Sequence, residues 1–122
     1  MKVVILGASD NIERYSNKAQ KLLLKFGHEP ILVNPKLSSI EGISCYKNLT
    51  EVTAKEKNID TLTLYVNPEV STSLTNEIIK LKPRRVIFNP GSENKKLMDE
   101  LTKQKIEVEE ACTLVLLNTH QF

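Results

Sequence analysis

Val3-Val4-Ile5-Leu6-Gly7-Ala8-Ser9-Asp10-Asn11, followed by an amphipathic run from about Arg14 to Phe26, decides the fold. Four consecutive apolar residues, three of them β-branched, predict a strand buried on both faces. Gly7 then allows a sharp turn without a Cβ clash. In the run that follows, Tyr15, Ala19, Leu22, Leu23 and Phe26 fall at i, i+4, i+7, i+8 and i+11, the spacing of one core-facing helical stripe. Strand, tight turn and helix in that order aim unpaired amides and the positive end of the helix dipole at one point beyond the sheet, which suits a phosphate. As a motif the turn is weak: Ser9 and Ile12 stand where a dinucleotide fingerprint has its second and third glycines, and no Gly-Lys-Ser/Thr follows. The same residues also fit an ordinary strand-to-helix turn.

At 122 residues the chain suits one domain, 1–122, which would bury about two-thirds of its unfolded surface. Its formal charge is only +2, with 17 basic and 15 acidic residues interspersed, which argues against nucleic-acid binding by phosphate neutralisation. Cys45 and Cys112 lack metal or redox spacing, and no leader-like segment opens the sequence, so a cytoplasmic, reducing setting is expected. The longest apolar runs, Val3 to Leu6 and Leu114 to Leu117, are far too short to span a membrane.

Working outward, Gly27 reads as a helix stop, Pro30 to Val33 as the second strand, and Ile43 to Tyr46 as a short edge strand. Asn48 with Glu51 resembles a capping box. Thr61 to Val66 predicts a third long strand, and Asn67-Pro68 starts a helix with Val70, Leu74, Ile78 and Leu81 as its stripe. Arg85 to Phe88 is another strand, Asn94 caps a helix with Leu97, Met98 and Leu101 inward, a last strand lies near Ile106 to Val108, and Ala111 to Leu117 packs back on the sheet. This alternation predicts an α/β fold, a Rossmann-like open parallel sheet with helices on both faces. Three strands finish on Asn-Pro, at Asn34-Pro35, Asn67-Pro68 and Asn89-Pro90. A parallel sheet gathers all three on its carboxyl edge beside Gly7, where such folds bind ligands. Each pair taken singly also serves as a strand stop.

The end of the second strand selects the ribose. An acid there holds both hydroxyls of a plain dinucleotide, but the residues are Asn34-Pro35-Lys36, and Glu29 precedes the strand. Lys36 suits a phosphorylated ribose, as in coenzyme A or NADP, and equally a solvated loop lysine. Together Gly7 to Asn11 with Arg14 and Ser16, Val33-Asn34-Pro35, Ile40-Glu41-Gly42 with Cys45-Tyr46, Tyr65-Val66-Asn67-Pro68, Asn89 to Asn94 and Glu109 to Leu114 resemble the small stand-alone CoA-binding proteins, which are similar to the CoA-binding domain of the succinyl-CoA synthetase α subunit. The resemblance runs from about Lys2 to Leu117. It implies that coenzyme A or an acyl-CoA is held by its phospho-ADP end. Gly7, Ala8 and Ser9 would meet the pyrophosphate, reinforced by Arg14 and Ser16. Val33, Asn34, Pro35 and Lys36 would line the adenosine and 3′-phosphate, with Tyr65, Val66, Asn67, Asn89, Pro90 and Gly91 completing the rim. Ile12 departs from the pattern, since relatives often carry proline there.

Nothing in the sequence assembles chemistry. His28 and His120 read as solvated surface residues, Cys112 as a buried inert thiol, and Glu109 and Glu110 point to opposite strand faces. The expected function is therefore non-catalytic binding of a small-molecule ligand, CoA. Two alternatives remain: a small NADP-dependent oxidoreductase or a fragment of one, and a CoA-handling partner subunit of a separately encoded acyl-CoA synthetase. A homodimer is compatible with all three.

Overall fold

The computed structural model describes residues 1–122. Seven strands form one sheet: β1 (Lys2–Leu6), β2 (Glu29–Val33), β3 (Ser39–Ile40), β4 (Ile43–Tyr46), β5 (Ile59–Leu64), β6 (Arg85–Phe88) and β7 (Glu107–Glu110), in the order β3-β4-β2-β1-β5-β6-β7. All neighbours are parallel except β3 and β4. The helices are α1 (Tyr15–Lys25), α2 (Leu49–Lys55), α3 (Pro68–Ser73), α4 (Thr75–Leu81), α5 (Lys95–Lys103) and α6 (Thr113–Asn118). The fold is Rossmann-like, as its alternation of strands and helices predicts.

Strand β1 lies between β2 and β5, and Val3, Val4 and Ile5 are wholly buried. Burying each such side chain contributes about 1.5–3 kcal/mol. Period-two alternation sends Val3 and Ile5, with Leu32, toward Leu23 of α1 and Leu117 of α6. Val4 and Leu6 face the other way, with Leu62, Leu64, Val86 and Phe88, onto Val52 of α2, Ile78 of α4 and Leu97 and Leu101 of α5. The tail therefore packs back on the sheet as α6.

Helix α1 ends where Gly27 takes φ +83, with His28 N donating to Leu23 O at 2.9 Å and Gly27 N to Leu24 O at 3.0 Å. This is a left-handed cap that satisfies the last carbonyls. Asn48, Asn67 and Asn94 each cap a helix, accepting from Glu51 N, Val70 N and Leu97 N.

Four expectations need correction. Ile43–Tyr46 is a strand but not the edge, because Ser39–Ile40, just before the Glu41-Gly42 turn, pairs outside it as β3. The buried side of α1 is Ser16, Asn17, Ala19, Gln20 and Leu23, and Tyr15 is 57% exposed. The β3–β4 turn rotates that face: Gln20 Nε2 donates to Ile40 O (3.1 Å), and Asn17 Nδ2 donates to Glu41 Oε2 (2.8 Å) and Ser9 O (2.9 Å). The helix from Pro68 breaks at Leu74, where Ser73 Oγ donates to Val70 O (2.6 Å) and Thr75 Oγ1 donates to Thr72 O (2.7 Å). Such hydroxyls compete with the helical ladder, so Val70 is left exposed while Ile78 and Leu81 stay buried. His28 is half-buried against Phe122, with ring centroids 5.2 Å apart.

Candidate functional site: a crevice at the carboxyl edge

Strand order reverses between β1 and β5, and a crevice of about 530 Å³ opens above that point. Its walls come from three rims: Gly7, Ser9, Glu13, Arg14, Tyr15 and Ser16 after β1, Tyr65, Val66 and Asn67 after β5, and Pro90, Gly91 and Ser92 after β6. The sheet thus brings together nine of the residues singled out from the sequence: Gly7, Ser9, Arg14, Ser16, Tyr65, Val66, Asn67, Pro90 and Gly91.

The first rim is built to present donors. Gly7 N and Ala8 N both donate to Val33 O, at 3.4 and 3.2 Å, which fastens the turn to β2. Beyond them Ser9 Oγ accepts from Asn11 N (3.0 Å) and Asn11 Oδ1 from Glu13 N (2.9 Å). The amides of Ser9, Asp10 and Ile12, and those of Tyr15 and Ser16 in the first turn of α1, have no partner within the chain. Arg14 occupies the cap position of α1 without a side-chain cap bond, and no acidic residue stands in the first turn. Its guanidinium forms no ion pair. Unpaired amides, a helix dipole and a free guanidinium around one space attract an oxyanion.

Ala8, Val33, Asn34, Pro35, Lys36 and Asn89 lie off the crevice. Asn34 braces the neighbouring rim: its Nδ2 donates to Ala8 O (2.8 Å), and its Oδ1 accepts from Lys36 N (2.7 Å) and Leu37 N (2.9 Å). That holds Lys36 exposed at the end of β2, with its ammonium in no ion pair. Asn89 is 2% exposed and works from below. Its Nδ2 donates to Thr63 Oγ1 (2.6 Å) and Leu64 O (2.9 Å), while its Oδ1 accepts from Thr113 N (2.9 Å). Asn34 and Asn89 are thus committed to protein partners at both ends of their amides, whereas Asn67 accepts from Val70 N through Oδ1 and keeps its Nδ2 without a protein partner at the crevice.

Tyr65 stands between crevice and core. Its hydroxyl lies beside Thr63 and Thr113, which bond each other at 2.8 Å, and closes no hydrogen bond of its own. Burial pushes its pKa up to about 12, so it stays a neutral donor. Cys112 is half-buried next to it, and Cys45 is half-buried on the α1 and α6 side of the sheet, where burial raises its thiol pKa. Glu13, Tyr15 and Ser92 line the crevice without having been singled out. Ser92 was legible in the run after Asn89-Pro90; Tyr15 was assigned to the core, and Glu13 carried no signal.

An open, mostly parallel sheet with a crevice at its switch point defines a Rossmann-like α/β protein, a class whose ligands bind at that edge. A family model described as a CoA binding domain matches residues 1–118, and the chain belongs to that family. A solved structure described as an uncharacterized protein is 39% identical over 99% of this chain and 97% of its own, with a TM-score of 0.86. A conserved hypothetical protein from Pyrococcus furiosus is 30% identical over 88% and 90%, with a TM-score of 0.77. A hypothetical protein from Pyrococcus horikoshii OT3 is 25% identical over 96% and 81%, with a TM-score of 0.86. No curated protein matches the chain. No helix is long and apolar enough to cross a membrane.

Proposed function

We propose that the chain binds coenzyme A through its phospho-ADP end and catalyses no reaction by itself. The observation that carries this reading is the cluster of unpartnered amides of Ser9, Asp10, Ile12, Tyr15 and Ser16 around the free Arg14 side chain, on a chain that belongs to the CoA-binding family. The pyrophosphate sits on those amides, the adenosine lies toward Val33, Asn34 and Pro35, and Lys36 meets the 3′-phosphate. Gly7 and Ala8 hold the turn in shape for it. Tyr65, Val66, Asn67, Pro90 and Gly91 receive the pantetheine arm, and Asn89 supports them from beneath. We read residues 1–122 as one domain acting in the cytoplasm.

Calorimetric titration with CoA, dephospho-CoA, NADP and NAD tests this, on the parent chain and on Arg14→Ala and Lys36→Ala. CoA is expected to bind at micromolar concentration. An exposed charge pair contributes about 1 kcal/mol, so Lys36→Ala should weaken CoA about fivefold and leave dephospho-CoA unchanged. Arg14→Ala should weaken both. Binding of NADP without CoA would overturn the reading in favour of the oxidoreductase class.

A further inference from the structure

A shallow groove of about 380 Å³ runs between α1 and α6, outside the crevice. Leu22 and Leu114 floor it, and Lys18, Lys21, Lys25 and Asn118 wall it. Its surface is almost wholly hydrocarbon, the state of a groove whose lysines lay their stems along it and carry their ammonium groups into water. Both helices start at the carboxyl edge of the sheet, so one end of the groove lies at the same edge as the crevice. One contact and one chain neighbour link the spaces there. Lys18 Nζ lies 5.6 Å from the ring centre of Tyr15, and Tyr15 is a wall of the crevice. Across from it, Leu114 follows Thr113, whose amide is held by Asn89 under the third rim.

We infer that this groove holds the aliphatic acyl chain of an acyl-CoA whose nucleotide end occupies the crevice. The inference rests on the CoA reading above. An arm laid over Tyr65 and the Pro90–Ser92 rim ends beside the start of α6, where Leu114 begins the groove. From Lys18 to Lys25 the helix advances about 10 Å, room for a chain of medium length. The groove offers only the Asn118 amide and lysine ammonium groups as polar partners, so a short or hydroxylated acyl group gains little from it. A second copy of the same face would set Lys18, Lys21 and Lys25 against their equivalents, which disfavours self-association through the groove.

The test compares CoA, acetyl-CoA and octanoyl-CoA by calorimetry, with sodium octanoate alone as a further arm. A fully buried methylene changes affinity about fourfold and a half-covered one roughly twofold. Octanoyl-CoA should therefore bind on the order of tenfold or more tighter than acetyl-CoA, and octanoate alone weakly. Leu114→Asp and Leu22→Asp should each abolish that gain and leave CoA itself unchanged. The comparison of ligands on the parent chain needs neither variant to fold. Equal affinity for CoA, acetyl-CoA and octanoyl-CoA overturns the groove and spares the crevice. Absence of all CoA binding overturns the reading beneath it, and the groove's ligand with it.

Discussion

Replacing Gly7 with alanine tests the geometry on which the crevice depends. Gly7 has φ +94, and a Cβ placed there would lie 2.8 Å from Tyr65 O, 3.1 Å from Tyr65 C and 3.2 Å from Val66 Cγ1. The left-handed backbone alone costs a non-glycine residue about 1–2 kcal/mol. The contact adds to this, because its partner is backbone at the end of β5 and cannot rotate aside; overpacking of this kind costs about 1–3 kcal/mol. Gly7→Ala should therefore lose roughly 2–5 kcal/mol. Gly27→Ala is the control: φ is +83, yet nothing lies within 4 Å of the added Cβ, so only the backbone cost of about 1–2 kcal/mol applies. Urea unfolding of both variants separates the two costs. With a slope of about 1–3 kcal/mol/M, the midpoints should differ by on the order of one molar. Equal midpoints would refute the close approach of the β1 turn to β5, and with it the shape assigned to the crevice floor.

Asn89→Ala removes the acceptor of Thr113 N and the donor to Thr63 Oγ1 and Leu64 O at a buried position, leaving Thr63 Oγ1 only its bond to Thr113. It should cost about 2–4 kcal/mol and loosen α6, read as faster amide exchange from Leu116 to Asn118. The imidazole of His28 has its pKa lowered by burial first, then by the N-terminal amine and Arg85, against Asp60, which raises it. The unfolded chain takes up that proton at about pH 6.5 and the folded chain only at lower pH. Stability should therefore fall as pH drops below about 6.5, a slope that His28→Gln removes; an unchanged urea midpoint between pH 7.5 and 5.5 in the parent would contradict this. Lys105 holds φ +62 at the end of α5 without being glycine. Lys105→Gly should raise stability by about 0.5–1 kcal/mol, measured by thermal unfolding.

The sheet was legible because β1 and β6 carry nearly unbroken apolar runs and β5 alternates leucine with β-branched threonine, each with turn signals at its end, and burial on both faces leaves no other reading for Val3 to Leu6. The asparagine caps were legible for a similar reason: Asn48, Asn67 and Asn94 act on residues three positions away, within reach of local pattern. What escaped was set by distant partners. Nothing around Tyr15 announces that Ile40 and Glu41 will dock on the far side of α1 and turn that ring outward. Serine and threonine hydroxyls broke the helix at Leu74 although the apolar stripe continued through it. In the crevice, residue types pointed to the right edge of the sheet, but the roles of Asn34 and Asn89 as braces depend on Ala8 and Thr113, 26 and 24 residues away.

The strand in the middle of the sheet is the first of the seven to leave the ribosome. β1 can pair with β2, and β4 can join outside it, while everything after Tyr46 is still unmade, giving a half-sheet with one bare edge at β1. Only when β5 arrives, more than fifty residues after β1, is that edge covered, and the third wall of the crevice waits for Pro90 to Ser92. During synthesis the nascent chain therefore spends a long interval as a partial sheet whose most apolar strand is open to intermolecular pairing. The ligand cavity, made by residues that meet last, can stabilise only the finished molecule.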